Sequence, residues 1–297
     1  MKRIGVVGLG DMGLAMSKNI VKAGFELVGF DLREERLALL EKAGGTRAAD
    51  LAALGSQCDS VFTMVLNGDQ VKSVIDPAEG LLSTMREGST IIVSATIEPS
   101  EVREIAKTIE SKGVRIIDTP VSGGKGGAES GTLTMMAAAK KAVFEEELEV
   151  LQAVGEKIFH VGEEIGTGQT VKASLQALIG STFTAIFESL VLGAKAGVPG
   201  KVLYEVFTSS GVRSPLLENC AKLIMDRSFR DTGSHIGTMH KDLGISMNLA
   251  RETGAAMFTT SAAAELFQSG ISLFPEEDNW SIVKLLEQIA GTEVNWE

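Results

Sequence analysis

Near its start the chain reads Ile4-Gly5-Val6-Val7-Gly8-Leu9-Gly10-Asp11-Met12-Gly13, and no other stretch constrains the fold as strongly. A β-branched apolar run followed at once by G-x-G-x-x-G predicts strand, tight turn and helix in that order. Leu14, Met16, Ile20, Val21 and Ala23 then recur at helical spacing up to Gly24, and a second apolar run over 26–30 ends at Asp31. This is the pattern of a complete βαβ unit. Gly8 permits the turn, Gly10 lets the backbone approach a pyrophosphate, Gly13 lets helix and strand pack closely, and the helix N-terminus offers N–H groups to the phosphates. Glycine triplets also occur in turns that bind nothing. Asp31 separates the two cases, because a carboxylate about 20 residues past the glycines accepts hydrogen bonds from the adenosine ribose. It would also repel a 2′-phosphate, so NAD is expected over NADP; Arg33, two residues on, can turn toward such a phosphate and soften the preference.

The rest of the first half extends the pattern. Strand-like runs at 60–66, Thr90–Val93, 115–117, 132–137 and 158–161 alternate with helical stretches. Such alternation predicts an α/β Rossmann-type, doubly wound and mainly parallel sheet. Beyond Gly166 the strands stop, and Val171, Leu175, Leu178, Phe183, Ile186, Phe187 and Leu190 trace one apolar stripe on a long helix ending near Gly197-Val198-Pro199. The boundary is placed after residue 164: a nucleotide-binding domain over 1–164, then an all-helical second domain over 165–297 for substrate and dimerisation. One long helix cannot bury its own stripe, so a homodimer or homotetramer is expected.

Composition excludes several classes. A net charge of −11 over 297 residues leaves no extended basic surface, so no nucleic-acid partner is expected and anionic ligands must be held locally. Cys58 and Cys220 are far apart, and His160, His235 and His240 form no ligand-spaced cluster, so neither a disulfide framework nor a metal is expected. The first apolar run is itself the nucleotide-binding strand, with no signal-peptide pattern before it and no uninterrupted apolar span of about 20 residues elsewhere. The expectation is a cytoplasmic chain with no membrane partner.

Two further stretches carry chemistry. In Asp118-Thr119-Pro120-Val121-Ser122-Gly123-Gly124, a strand runs into a glycine-rich loop at the carboxyl end of the sheet, where open α/β sheets bind ligands. Backbone N–H groups around paired glycines, with the Ser122 hydroxyl, suit a carboxylate, although flexible glycine loops also serve as plain connections. In Gly166-Thr167-Gly168-Gln169-Thr170-Val171-Lys172, the lysine falls near the N-terminal end of the long helix, where it opposes the helix dipole, and Gln176 lies one turn further on the same face. That placement suggests a reason beyond helix stability, against the plainer reading of an exposed lysine.

Together with Lys241-Asp242-Leu243, these motifs resemble the β-hydroxyacid dehydrogenases, the group that includes 3-hydroxyisobutyrate dehydrogenase and, more distantly, 6-phosphogluconate dehydrogenase. The resemblance covers the whole chain. It implies a Rossmann domain, an all-helical domain and an active site between them, with Lys172 as acid/base and Ser122, Gly123 and Gly124 on the substrate carboxylate. It also implies that Gly8, Leu9, Gly10, Asp11, Met12 and Gly13 cradle the cofactor, that Leu66, Asn67 and Thr96 border it, and that Lys241 approaches it. Three motifs depart from the family pattern. The usual K-x-x-N-N reads Lys172-Ala173-Ser174-Leu175-Gln176, where Gln176 keeps the hydrogen-bonding capacity of a substrate contact and Leu175 does not. The M-L-P-N loop has Leu66 for its proline, and D-S-S-T reads Val93-Ser94-Ala95-Thr96.

The resulting expectation is an NAD-dependent oxidoreductase that interconverts a small anionic β-hydroxyacid and its carbonyl partner. An imine reductase-like enzyme is the alternative on the same architecture, and Lys172 speaks against it. A non-catalytic dinucleotide sensor is the alternative outside enzymes, and the Ser-Gly-Gly loop with Lys172 speaks against that.

Overall fold

The structure, a computed structural model, describes residues 2–297. The chain divides into two compact units, one reaching Lys172 and one spanning Ala173–Glu297. In the first, β1 (Arg3–Val7), α1 (Asp11–Lys22), β2 (Glu26–Phe30), α2 (Glu34–Lys42), β3 (Thr46–Arg47), α3 (Leu51–Gln57) and β4 (Ser60–Thr63) lead to α4 (Gly68–Ile75), β5 (Thr90–Val93) and α5 (Pro99–Glu110). Then follow β6 (Arg115–Asp118), β7 (Val121–Ser122), α6 (Gly124–Ser130), β8 (Leu133–Ala138), α7 (Lys141–Gln152) and β9 (Gly155–Gly162). The strands lie in the order β3-β2-β1-β4-β5-β6-β8-β7, with β9 paired to β8. Alternate residues feed opposite faces: Val6, Phe62, Ile92 and Ile117 pack with α1 residues such as Met16 and Ile20, while Val7, Val61, Ile91 and Ile116 pack with Leu54, Val71 and Val102 from α3, α4 and α5. Burial on both faces is what β-branched runs without polar alternation require.

The Rossmann expectation holds, with local differences. β3 and β7, two residues each, are too short to leave an alternation pattern, and the run at 60–66 is strand only as far as Thr63. β8 runs antiparallel to β6 and β7. Pro120 cannot donate to a ladder, and the link from Ser122 to Leu133 is shorter than the dozen or more residues a parallel crossover takes.

Helix α8 (Thr167–Lys195) is 29 residues long, and the division between the units falls inside it, eight residues beyond the expected boundary after 164. By length and composition α8 is apolar enough to cross a membrane, with a mean hydropathy of 1.6 over its most apolar window. Its side chains Phe183, Phe187 and Leu190 instead form the core of the second unit with Leu243, Phe267 and Trp280. That unit continues with α9 (Gly200–Ser209), α10 (Pro215–Met225), α11 (Ile236–Thr253), α12 (Phe258–Leu273) and α13 (Ile282–Ala290). The single stripe expected on α8 is in fact divided: Phe183, Ile186, Phe187 and Leu190 are buried, whereas Val171 and Leu178 are exposed together with Leu192. Both cysteines are fully buried, and burial pushes the Cys58 thiol up to about 12.

Candidate active site

The glycine turn between β1 and α1 is fixed by close backbone approach. Gly8 has φ +90°, and a Cβ on it would lie 2.4 Å from the Met64 carbonyl oxygen. A Cβ on Gly13 would lie 1.8 Å from the Gly8 carbonyl oxygen, so no other residue fits there. Gly10 is the N-cap of α1 and supplies no side-chain cap, which leaves the first N–H groups of that helix available to an anion. Asp11 and Met12 open the helix, Asp11 with its carboxylate 3.1 Å from the Arg36 guanidinium. Asp31, at the end of β2, accepts from the Leu9 N–H at 2.7 Å and from the Arg33 N–H at 2.9 Å, and pairs with the Arg33 guanidinium at 3.0 Å. Burial pushes its carboxyl up, but the Arg33 and Leu9 donors outweigh burial and hold it below the ordinary value. The ribose acceptor of the sequence reading is therefore already oriented, and already charge-paired.

Beyond β4, Leu66 is 70% exposed and its N–H donates to Gln70 Oε1 at 2.9 Å. Asn67 is the N-cap of α4, its Oδ1 accepting from the Gln70 N–H at 2.9 Å. Thr96 follows β5 and is half-buried. Ser122 ends the short strand β7, and Gly123 (φ +129°) and Gly124 (φ +57°) turn the chain into α6. The expected loop is thus a strand end plus a helix start, with both glycines exposed.

The start of α8 is seated against the ends of β5, β6 and β8. Asp118, the last residue of β6 and fully buried, accepts through Oδ2 from the Gly166 N–H at 2.9 Å and the Gln169 N–H at 3.2 Å. Through Oδ1 it accepts from Gln169 Nε2 at 3.0 Å. The Gln169 amide also donates to the Ala95 carbonyl at 3.0 Å and accepts from the Ile97 N–H at 3.1 Å, one contact on each side of Thr96. Burial pushes the Asp118 carboxyl up to about 6, against the lowering effect of these donors. Gly168 allows the approach, since a Cβ there would meet the Met136 and Asp118 carbonyl oxygens at 2.5 and 2.7 Å. One turn later stands Lys172, only 6% exposed. At about 100° per residue, Gly168, Lys172, Gln176 and Gln169 share roughly 100° of the helix circumference.

In the second unit, Gln176 is buried and its Nε2 donates to Asp242 Oδ2 at 2.6 Å. The other oxygen of Asp242 pairs with Lys241 Nζ at 2.7 Å. One buried carboxylate therefore holds two residues named from sequence. Asp118, Gln169 and Asp242 are the residues that sequence reasoning left without a role. All three sit inside the motifs quoted, but their partners lie elsewhere in the chain.

A dinucleotide turn on a Rossmann unit, followed by a helical unit, is the architecture of nicotinamide-dependent dehydrogenases, and relatives narrow the class. The profile described as the NAD binding domain of 6-phosphogluconate dehydrogenase matches residues 3–162, and that of the NAD-binding domain of NADP-dependent 3-hydroxyisobutyrate dehydrogenase matches 166–286. The 2-(hydroxymethyl)glutarate dehydrogenase of Eubacterium barkeri is 34% identical over 99% of this chain and 97% of its own length. The L-threonate dehydrogenase of Cupriavidus necator is 33% identical, with 97% of each chain covered. A solved 3-hydroxyisobutyrate dehydrogenase from Salmonella typhimurium superposes with a TM-score of 0.88 at 30% identity, over 96% of this chain and all of that one. The chain belongs to the β-hydroxyacid dehydrogenase family and is an NAD(P)-dependent hydroxyacid dehydrogenase.

Proposed function

We propose that the chain interconverts a small β-hydroxyacid and its carbonyl partner, with Lys172 as the general acid/base. The observation that carries this reading is the burial of Lys172 in the early turns of α8, one turn past the seat that Asp118 and Gln169 make. The open N-terminus of α1, with a turn that tolerates no Cβ at Gly8 or Gly13, fits the pyrophosphate of a dinucleotide. When bound, the nicotinamide supplies or takes up the hydride. Lys172 moves the remaining proton: neutral, it accepts from the substrate hydroxyl; as the ammonium, it donates to the carbonyl oxygen. Ser122 and the N–H groups at Gly123 and Gly124 hold the carboxylate, and Gln176, steadied by Asp242, orients the substrate.

NAD is the favoured cofactor because Asp31 is held in its charged form beside the ribose site, while Arg33 tempers the repulsion of a 2′-phosphate. The relatives are named for 2-(hydroxymethyl)glutarate, L-threonate and 3-hydroxyisobutyrate, so these three acids with NAD and NADP form the first panel. A second copy of the chain is the partner for the exposed side of α8, where Val171, Leu178 and Leu192 recur at multiples of seven residues. Light scattering on a Leu178→Glu, Leu192→Glu variant tests that assembly. For the chemistry, Lys172→Ala is expected to fold, to keep its NAD affinity and to lose about 100- to 10,000-fold in kcat. Retention of more than a tenth of the turnover would remove Lys172 from the role.

A further inference from the structure

We infer that Asp118 and Gln169 are positioning residues that clamp the first turn of α8 to the ends of β5 and β6 and so set where Lys172 stands. The inference rests on the reading of Lys172 as acid/base. Two independent constraints act on the helix. The Asp118 bonds to the Gly166 and Gln169 N–H groups fix its position along the axis. The Gln169 side chain, 1% exposed, bonds Asp118, Ala95 and Ile97 and fixes its rotation. Lys172 is three residues past Gln169, so on a helix both constraints pass directly to its Cα, about 4.5 Å further along the axis. The same clamp grips the backbone on both sides of Thr96, which ties the position of Lys172 to the loop proposed to border the cofactor.

The choice of residues argues for placement over mere helix initiation. Ser, Thr or Asn caps a helix without burying a charge, whereas a fully buried carboxylate carries a desolvation cost that its donors only partly offset. Gly168 points the same way: its missing side chain brings the helix to within contact of the Met136 and Asp118 carbonyls.

The test is an exchange of donor and acceptor. Asp118→Asn places an amide where Gln169 needs an acceptor, and Gln169→Glu places a carboxylate against the Asp118 carboxylate. Each single variant is expected to lose about 10- to 100-fold in kcat on the best substrate of the panel, as follows from moving a positioned group by around 1 Å, with the Kd for NAD within about twofold. In the double variant Asp118→Asn/Gln169→Glu the new amide donates to the new carboxylate while the Ala95 carbonyl loses its donor, and kcat is expected to recover part of the loss of the worse single. Gly168→Ala supplies a variant that removes no hydrogen-bonding group and raises helix propensity; its Cβ must push α8 away, so kcat falls while NAD affinity stays. Full turnover in Gly168→Ala, or a double variant no better than the worse single, would overturn the clamp. Lys172→Ala measured alongside separates the two ideas: if it keeps its turnover, the acid/base assignment fails; if it alone is dead, only the clamp does.

Discussion

Two glycine-spaced turns lead into helices in the first unit, and they use the same parts to opposite ends. At α1, Gly8 and Gly13 bring the helix start close to the sheet, and at α8, Gly168 does so. Each turn has a carboxylate from the end of a strand accepting a backbone N–H, Asp31 from β2 and Asp118 from β6. The α1 N-terminus lacks a side-chain cap, and Asp31 instead binds Leu9 in the turn and a guanidinium at its edge. The α8 start is plugged by Asp118 itself. An open helix start has donors to offer a phosphate; a plugged one has spent them on holding its own helix still. The carboxyl groups record the difference, Asp31 lying below its ordinary value and Asp118 raised to about 6.

The largest expected effect breaks the open turn. Gly13→Val forces its Cβ against the Gly8 carbonyl, and NAD affinity is expected to fall roughly 100-fold or more, since losing even one or two charge-assisted N–H bonds costs that much; isothermal titration measures it. An unchanged Kd would show that the turn does not bind the dinucleotide. The plugged turn has a pH signature. Because the folded carboxyl of Asp118 titrates near 6 and an ordinary one near 3.8, the native state holds the extra proton between those values, and stability falls as pH rises through that window by about 3 kcal/mol. Asp118→Asn lacks this loss, so in urea unfolding its stability relative to the parent should improve from pH 4 to pH 7. A gap independent of pH would mean that the folded Asp118 carboxyl titrates at its ordinary value and that burial does not raise it. The smallest effect sharpens the contrast at Asp31: Asp31→Asn is expected to shift the kcat/KM ratio of NAD to NADP by about tenfold toward NADP, and Arg33→Ala to move it the other way. Equal ratios in all three proteins would place cofactor choice elsewhere.

How far each turn could be read from the chain follows the same contrast. Gly8, Gly13 and Asp31 act over short stretches whose sterics are visible in the spacing. The helix-dipole argument picked out Lys172 for a local reason as well. Asp118 and Gln169 are 51 residues apart, and Gln176 and Asp242 are 66 apart, so no spacing rule could pair them. The reversal at β8 and the strands β3 and β7 were hidden because two residues cannot show a period. Along α8, periodicity showed that apolar residues recur but not which of them face the core: Phe183 is buried and Leu178 is not.

The place where the two units divide has a consequence for modularity. A nucleotide-binding fragment cut after residue 164, close to where the family profiles part, would discard Gly166 and Gln169 and leave Asp118 a buried carboxylate stripped of those donors. Cut after Lys172, the fragment keeps its seal. Lys172, the proposed proton carrier, therefore travels with the nucleotide-binding half, and Gln176, Lys241 and Asp242 with the helical half. Recombination at that seam would exchange Gln176, proposed to orient the substrate, while leaving Lys172, the nucleotide turn and the proposed carboxylate loop at Ser122, Gly123 and Gly124 in one inherited piece.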